Sequence, residues 1–253
     1  MLTNCNPDLA QRIAVGTIQS MIKTDIKGIS SMATRLALAE LVQGFQLRSG
    51  LCVAIESTGG VDAAKRVQAG EAFDVVILAS DAIDKLVASG HLLAGSKVDL
   101  MRSGVAVAVR AGTAVPDIST ERAMRESVRA ASSISYSTGP SGVALARLFE
   151  QWGIAEEIKH RIVQAPPGIP VGSLVARGDV ALGFQQYSEL MHLEGITVVG
   201  PLPAAVQIIT TFSAGIGINS RQPEEVRKLL DDMNSAQATV AKVRQGMEPM
   251  QDR

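Results

Sequence analysis

Aromatic side chains are scarce in this 253-residue chain: Phe, Tyr and Trp make up 3% of it, against 46% hydrophobic residues in all. The core must therefore be built mainly from Ala, Val, Ile and Leu. So few rings also argue against stacking on single-stranded bases or on sugar faces. The two cysteines, Cys5 and Cys52, are too few for a disulfide framework and lack partners at metal-ligand spacing. Cys52, inside the apolar run LCVAI, reads as a buried thiol. The three histidines, His91, His160 and His192, form no HxH or HExxH pair, so no metal site is expected. One-sided charge is missing as well, with 24 basic residues against 25 acidic ones and a net charge of −1. That balance leaves no electrostatic footprint for nucleic acid or an anionic membrane surface.

No apolar run reaches the ~18 residues of a membrane span, so no membrane insertion is expected. The opening MLTNCNPDLAQRIAVGTIQSMIKTD carries Asn, Asp, Arg and Gln where a signal peptide needs an unbroken apolar stretch. As written the chain reads as cytoplasmic, and as periplasmic if its true start differs.

What is present is an alternation of short β-branched runs with helical patterns. DIKGI, LCVAIES and FDVVILAS read as strands, and Met32–Leu47, Val61–Ala69 and Asp81–Ala88 as helices. In the first of these helices, Leu36, Ala39, Leu41 and Phe45 are the apolar positions. SGVAVAVR then leads through a Gly/Pro-bearing loop into a second series. That series comprises the helix Thr120–Ala130, SISY, the helix Pro140–Trp152, RIVQ, the helix Gly172–Arg177, DVALGF and ITVVG. AVQIITTFSAGIGI reads as a returning strand, and Pro223–Met233 and Ala236–Arg244 as two closing helices. Alternation of this kind predicts an α/β fold of two lobes, each a mainly parallel sheet flanked by helices, with a ligand cleft between them. The expected division is an extension over 1–24, a first lobe over 25–108 and 206–253, and a second over 109–205.

Three strand-to-helix junctions share one chemistry. They are Ser30-Ser31, Ser57-Thr58-Gly59-Gly60 and Ser137-Thr138-Gly139-Pro140-Ser141-Gly142. Each puts small hydroxyls and free backbone N–H groups at a helix N-terminus, where the dipole favours an anion. At any one junction a serine that merely caps its own helix is the plainer reading. Three together at the carboxyl ends of strands point instead to a small-anion site. No GxGxxG, GK[ST] or GxSxG accompanies them, so neither a nucleotide nor a serine nucleophile is supported, and no cofactor is implied. In APPGIPVGSLVARGDVALGFQQYSEL, a proline-fixed loop precedes a helix, and a strand ends in Gln185-Gln186-Tyr187, read either as surface polar residues of a strand end or as supplying one amide or phenol to the cleft. Arg35 and Arg102 are the candidate cations.

With these residues in hand, the chain resembles the type II periplasmic solute-binding proteins, in their molybdate-binding-protein-like branch. ISSMATR resembles that family's first ligand loop, and VDAAKRVQAGEAFDVVILASDAIDKL, VARGDVALGF and the terminal KVRQGMEP follow in the family's order and spacing. The resemblance implies ligand contacts at Ser30 and Ser31, at Gly59 and Gly60, at Ser137, Thr138, Gly139 and Ser141, at Pro170 or Val171, and at Gln186 and Tyr187. Gln186 stands where the family has a molybdate-contacting tyrosine, and Gly59-Gly60 where it has a serine. These departures turn the expectation from molybdate or tungstate towards a carboxylate or other organic oxyanion. The implied role is a receptor, monomeric, that closes on a small anionic ligand and delivers it to an ABC transporter permease. Some members of the branch are enzymes, aconitate isomerase being similar to the molybdate-binding group. The alternative is therefore a cytoplasmic isomerase of a small polycarboxylate, with Tyr187, Tyr136 or a loop serine as the candidate base. A ligand-sensing module for a separate regulator is a third reading.

Overall fold

The computed structural model describes residues 26–166 and 168–250; Asp25, Cys5 and the expected 1–24 extension lie outside them. The chain opens with β1 (Ile26–Ser31), a 3-10 turn at Met32–Thr34 and α1 (Arg35–Ser49), then β2 (Val53–Thr58) and α2 (Gly60–Gln68). β3 (Val75–Ala79), α3 (Ser80–Ala88) and the 13-residue β4 (Val98–Arg110) follow. The next elements are α4 (Glu121–Ala130), β5 (Ile134–Tyr136), α5 (Pro140–Gln151), the single turn α6 (Ala155–Ile158) and α7 (Val171–Arg177). β6 (Leu182–Gln186) runs directly into the one-turn α8 (Tyr187–Leu190), and β7 (Ile196–Pro201) precedes β8 (Ile209–Ile216). α9 (Pro223–Met233), α10 (Ala236–Arg244) and β9 (Glu248–Pro249) close the chain.

The strands lie in the order β2-β1-β3-β8-β4-β6-β5, with β7 and β9 also paired to β4. β4 is the link between the two halves of the molecule. Its Val98–Gly104 segment pairs with β8 and β9, and its Val105–Arg110 segment with β6 and β7. The sheets are mixed, where mainly parallel sheets were expected. Parallel pairing is confined to β1–β2, β1–β3 and β5–β6, while every pairing of β4 and β8 is antiparallel. The reason is direction: β4 carries the chain out of the first half and β8 brings it back, so the two must run opposite ways. RIVQ, expected as a strand, contributes only an isolated bridge from Ile162 to Ile134.

Burial follows side-chain parity. In the fully buried β3, Val75 and Ile77 join the cluster with Leu38, Leu41, Phe45 and Leu229, whereas Val76 and Leu78 face Val67, Ile83 and Leu86 on the other side. α1 buries Ala37, Leu38, Leu41 and Phe45. Two positions in the expected stripe behave otherwise, Ala39 being exposed and Leu36 half-buried. Cys52, expected buried, is half-buried just ahead of β2. The few aromatics are concentrated in the second half, where Phe149 lies 6.0 Å from Tyr136, 5.9 Å from Trp152 and 6.0 Å from Phe184 between ring centroids.

Candidate functional site

β1 and β2 are paired in parallel with Ser30 opposite Ser57 and Ser31 opposite Thr58, so their two carboxyl-terminal loops lie side by side. Ser30 is fully buried, and its hydroxyl shares a 2.8 Å hydrogen bond with Ser57 Oγ. It ties the two loops together from behind. Ser31 is half-buried, and its hydroxyl has no hydrogen-bond partner among the described residues, although it occupies the capping position of the 3-10 turn. A β-carbon built on Gly60 would stand 3.7 Å from Ser31 Oγ, so this hydroxyl faces the first turn of α2 across a narrow gap.

The plain reading of these hydroxyls as caps fails at all three junctions. Ser31 holds a capping position and makes no capping bond, while at the other two junctions the capping position falls on a glycine, Gly59 or Gly139, with no side chain to cap with. Elsewhere the same protein does cap: Thr120 accepts from the Ala123 N–H, and Ser235 from that of Ala238. The first N–H groups of α2, and those of Ser141 and Gly142 behind Pro140 in α5, have no intrahelical acceptor, so both ends offer donors to an anion.

In the second half, Ser137 and Ser141 bring their hydroxyls to 3.4 Å across the start of α5. Ser141 is buried, Gly139 half-buried and Thr138 exposed. Gly142 makes the turn sterically possible, because a β-carbon there would collide with the Ser137 carbonyl. Pro170, in extended conformation, is the residue ahead of α7. Gln186 is buried at the end of β6; its Nε2 donates to Thr210 Oγ1 at 2.7 Å, while its Oε1 has no hydrogen-bond partner among the described residues. Tyr187 opens α8. It is 39% exposed, and its ring lies against Gly246 beyond α10, where an added β-carbon would come within 2.9 Å of it. Arg102 is engaged with Glu248 at 3.1 Å, while Arg35 is exposed at the head of α1 and makes no ion pair among the described residues.

Two further residues, Ser188 and Glu189, belong in this neighbourhood. Ser188 Oγ donates to the Ala33 carbonyl at 2.9 Å, seating α8 on the turn that follows Ser31. Beside it, Glu189 Oε1 accepts from Gln185 Nε2 at 2.8 Å, and Gln185 Oε1 accepts from the Gly172 N–H in α7 at 3.0 Å. Burial pushes the Glu189 carboxyl up to about 7, against the opposing pull of the Gln185 amide and the Arg35 charge. The available signal was the spacing of Gln185 and Glu189, four residues apart across a strand-to-helix junction.

Two α/β halves joined through one long strand, each with hydroxyl-rich strand-to-helix turns, are the architecture of the two-lobed type II periplasmic solute-binding fold. The chain belongs to the bacterial extracellular solute-binding proteins, whose family profile matches residues 26–248. It is 40% identical over 188 residues to an aconitate isomerase from a Pseudomonas species, covering 73% of this chain and 71% of that protein. Among solved structures it resembles the periplasmic molybdate-binding protein of Azotobacter vinelandii, with a TM-score of 0.74, 20% identity, and 89% of this chain matched to 100% of that one. The sulfate-binding protein of Mycobacterium tuberculosis is similar too, with a TM-score of 0.73, 14% identity, and 90% of this chain matched to 88% of that one. No helix among the described residues is long and apolar enough to cross a membrane.

Proposed function

We propose that the cleft closes on a small organic carboxylate or related oxyanion, held by Ser31, Gly59 and Gly60 from one side and by Ser137, Gly139 and Ser141 from the other. The observation that carries this reading is the set of three strand-to-helix junctions at which, among the described residues, no side-chain capping bond is made. Serine hydroxyls and backbone N–H groups neutralise an anion without a counter-charge that would have to be desolvated. As a receptor the protein would work as a monomer and pass its ligand to the permease of an ABC importer, which requires a location outside the cytoplasmic membrane.

The kinship with an aconitate isomerase favours a second reading, in which the bound polycarboxylate is turned over in the same cleft. A panel of molybdate, sulfate, phosphate, succinate, tricarballylate and cis-aconitate, followed by calorimetry and proton NMR, separates the two. A ligand recovered unchanged identifies a receptor, and one recovered as an isomer identifies an enzyme. If no member of the panel binds, the site assignment is wrong.

Individual hydroxyls have modest expected effects. Ser31→Ala and Ser137→Ala should each weaken affinity by about fivefold to tenfold, equivalent to ~1 kcal/mol or slightly more for a hydrogen bond to a charged acceptor. Ser30→Ala should lower thermal stability and leave affinity nearly unchanged, because its hydroxyl is spent on Ser57. Equal affinity losses at Ser30 and Ser31 would contradict this division of labour.

A further inference from the structure

We propose that Glu189 is the acid–base group of this cleft, taking a proton from a carbon that flanks a carboxylate of the bound polycarboxylate and giving it back. The proposal rests on the carboxylate reading above and assigns that site an activity and a residue. In the first step the C–H bond breaks, its electron pair passes into the adjacent carboxylate as an enolate-type anion, and the proton goes to a Glu189 oxygen. In the second step that proton forms a new C–H bond, at the same carbon or, in an unsaturated acid, at the conjugated one, and Glu189 is again a carboxylate. No electron is gained or lost, so no oxidant or co-reactant is needed.

The geometry supports this role. α8 bridges the turn after Ser31, through Ser188 and Ala33, while Gln185 ties Glu189 to the start of α7 just after Pro170. The carboxyl thus sits on a short helix anchored beside Ser31 by its neighbour Ser188, and is itself linked through Gln185 to the start of α7. The Gly172 N–H fixes the Gln185 amide, since Oε1 must accept and Nε2 is left to donate. That bond holds one oxygen of Glu189, while the other has no hydrogen-bond partner among the described residues. The groups that act on the carboxyl are Gln185 from β6 and the Arg35 charge from the head of α1. A carboxyl poised near neutrality both accepts and returns a proton readily. The unclaimed N–H groups of α2 and α5 suit the developing enolate charge.

The other candidate bases are placed less well. Tyr187 packs against Gly246, and Tyr136 lies in the Phe149 cluster, where burial raises its pKa and so disfavours the phenolate. His91 is bonded to Ser89 and the Gln68 carbonyl, and His192 to Gln245.

The test incubates wild type and Glu189→Gln with cis-aconitate and tricarballylate in D2O and follows the carbon-bound hydrogens by proton NMR, with affinities from calorimetry. Wild type should exchange or isomerise at least one of the two acids, at a rate that rises with pH around 7. Glu189→Gln should bind within about threefold of wild type yet exchange at least ~100-fold more slowly. Should that variant not melt as wild type does, Glu189→Asp decides, its carboxylate withdrawn by one methylene and its exchange expected to slow at least ~tenfold. Exchange at the wild-type rate in a folded variant overturns the proposal. So does wild type that binds either acid and exchanges neither, which leaves the receptor reading standing. Binding of neither acid removes the carboxylate reading, and this proposal with it.

Discussion

One methyl group placed at Gly142 is expected to cost about a hundredfold in ligand affinity. A β-carbon there would lie 2.7 Å from the Ser137 carbonyl carbon and closer still to its oxygen. Both are backbone atoms, so no rotamer change relieves the clash. Either the first turn of α5 unwinds or Ser137 is driven outward. Each outcome separates the Ser137 and Ser141 hydroxyls, now 3.4 Å apart, from the N–H donors of the same turn. Losing two or three such hydrogen bonds amounts to ~2.8 kcal/mol, which is about a hundredfold in dissociation constant. Overpacking of this kind also lowers stability by ~1–3 kcal/mol. Gly139→Ala is the contrast: its β-carbon would meet only Ser137 Oγ, at an ordinary 3.8 Å. That variant should melt as the wild type does. Calorimetry and thermal melts on the two variants check the argument, and Gly142→Ala with affinity within about threefold of wild type refutes it.

The sequence was informative where local chemistry decides and silent where distant pairing does. Pro223–Met233 and Ala236–Arg244 are legible to the residue, the first from a proline start and amphipathic spacing and the second from the Ser235 cap. The three hydroxyl-rich junctions were legible for the same reason. Ser30 and Ser31, however, read identically in the sequence. Only the register of β1 on β2 assigns Ser30 to Ser57 and leaves Ser31 uncommitted. The mixed sheet was hidden because pairing direction depends on which strands become neighbours, and β8 inserts between β3 and β4 from more than a hundred residues away. Tyr187 and Gln186 are adjacent in the sequence, yet the switch from strand to helix between them sets the Tyr187 ring beside Gly246, a contact no local pattern shows. Glu189 was passed over because a lone glutamate in YSEL reads as a solvated helix face. Its surroundings depend on Gln185 and Gly172, and the seat of its helix on the bond from Ser188 to Ala33, which the fold assembles from three separate segments.

The buried carboxyl also makes stability depend on pH, with a sign opposite to that of an ordinary ion-paired glutamate. In the folded protein Glu189 keeps its proton up to about pH 7, whereas the ordinary value is 4.5. Between those values the folded state binds more protons than the unfolded one, so unfolding free energy falls as pH rises through the window. The full shift would be worth about 3 kcal/mol at 1.36 kcal/mol per pK unit, and the residue's partial exposure reduces this to on the order of 2 kcal/mol. Lys242 does not obscure the effect. Burial beside the Leu100 carbonyl pushes its ammonium down to about 8, from 10.5, so its contribution changes only above pH 8, where stability rises with pH. Urea unfolding of the ligand-free protein at pH 5.5, 6.5 and 7.5, at constant ionic strength, should show a steady loss of stability. Glu189→Gln should flatten the dependence, because an amide presents the same shape with no proton to lose. A slope unchanged in that variant would mean that some other group carries the titration, and that Glu189 is ionised in the folded protein at neutral pH.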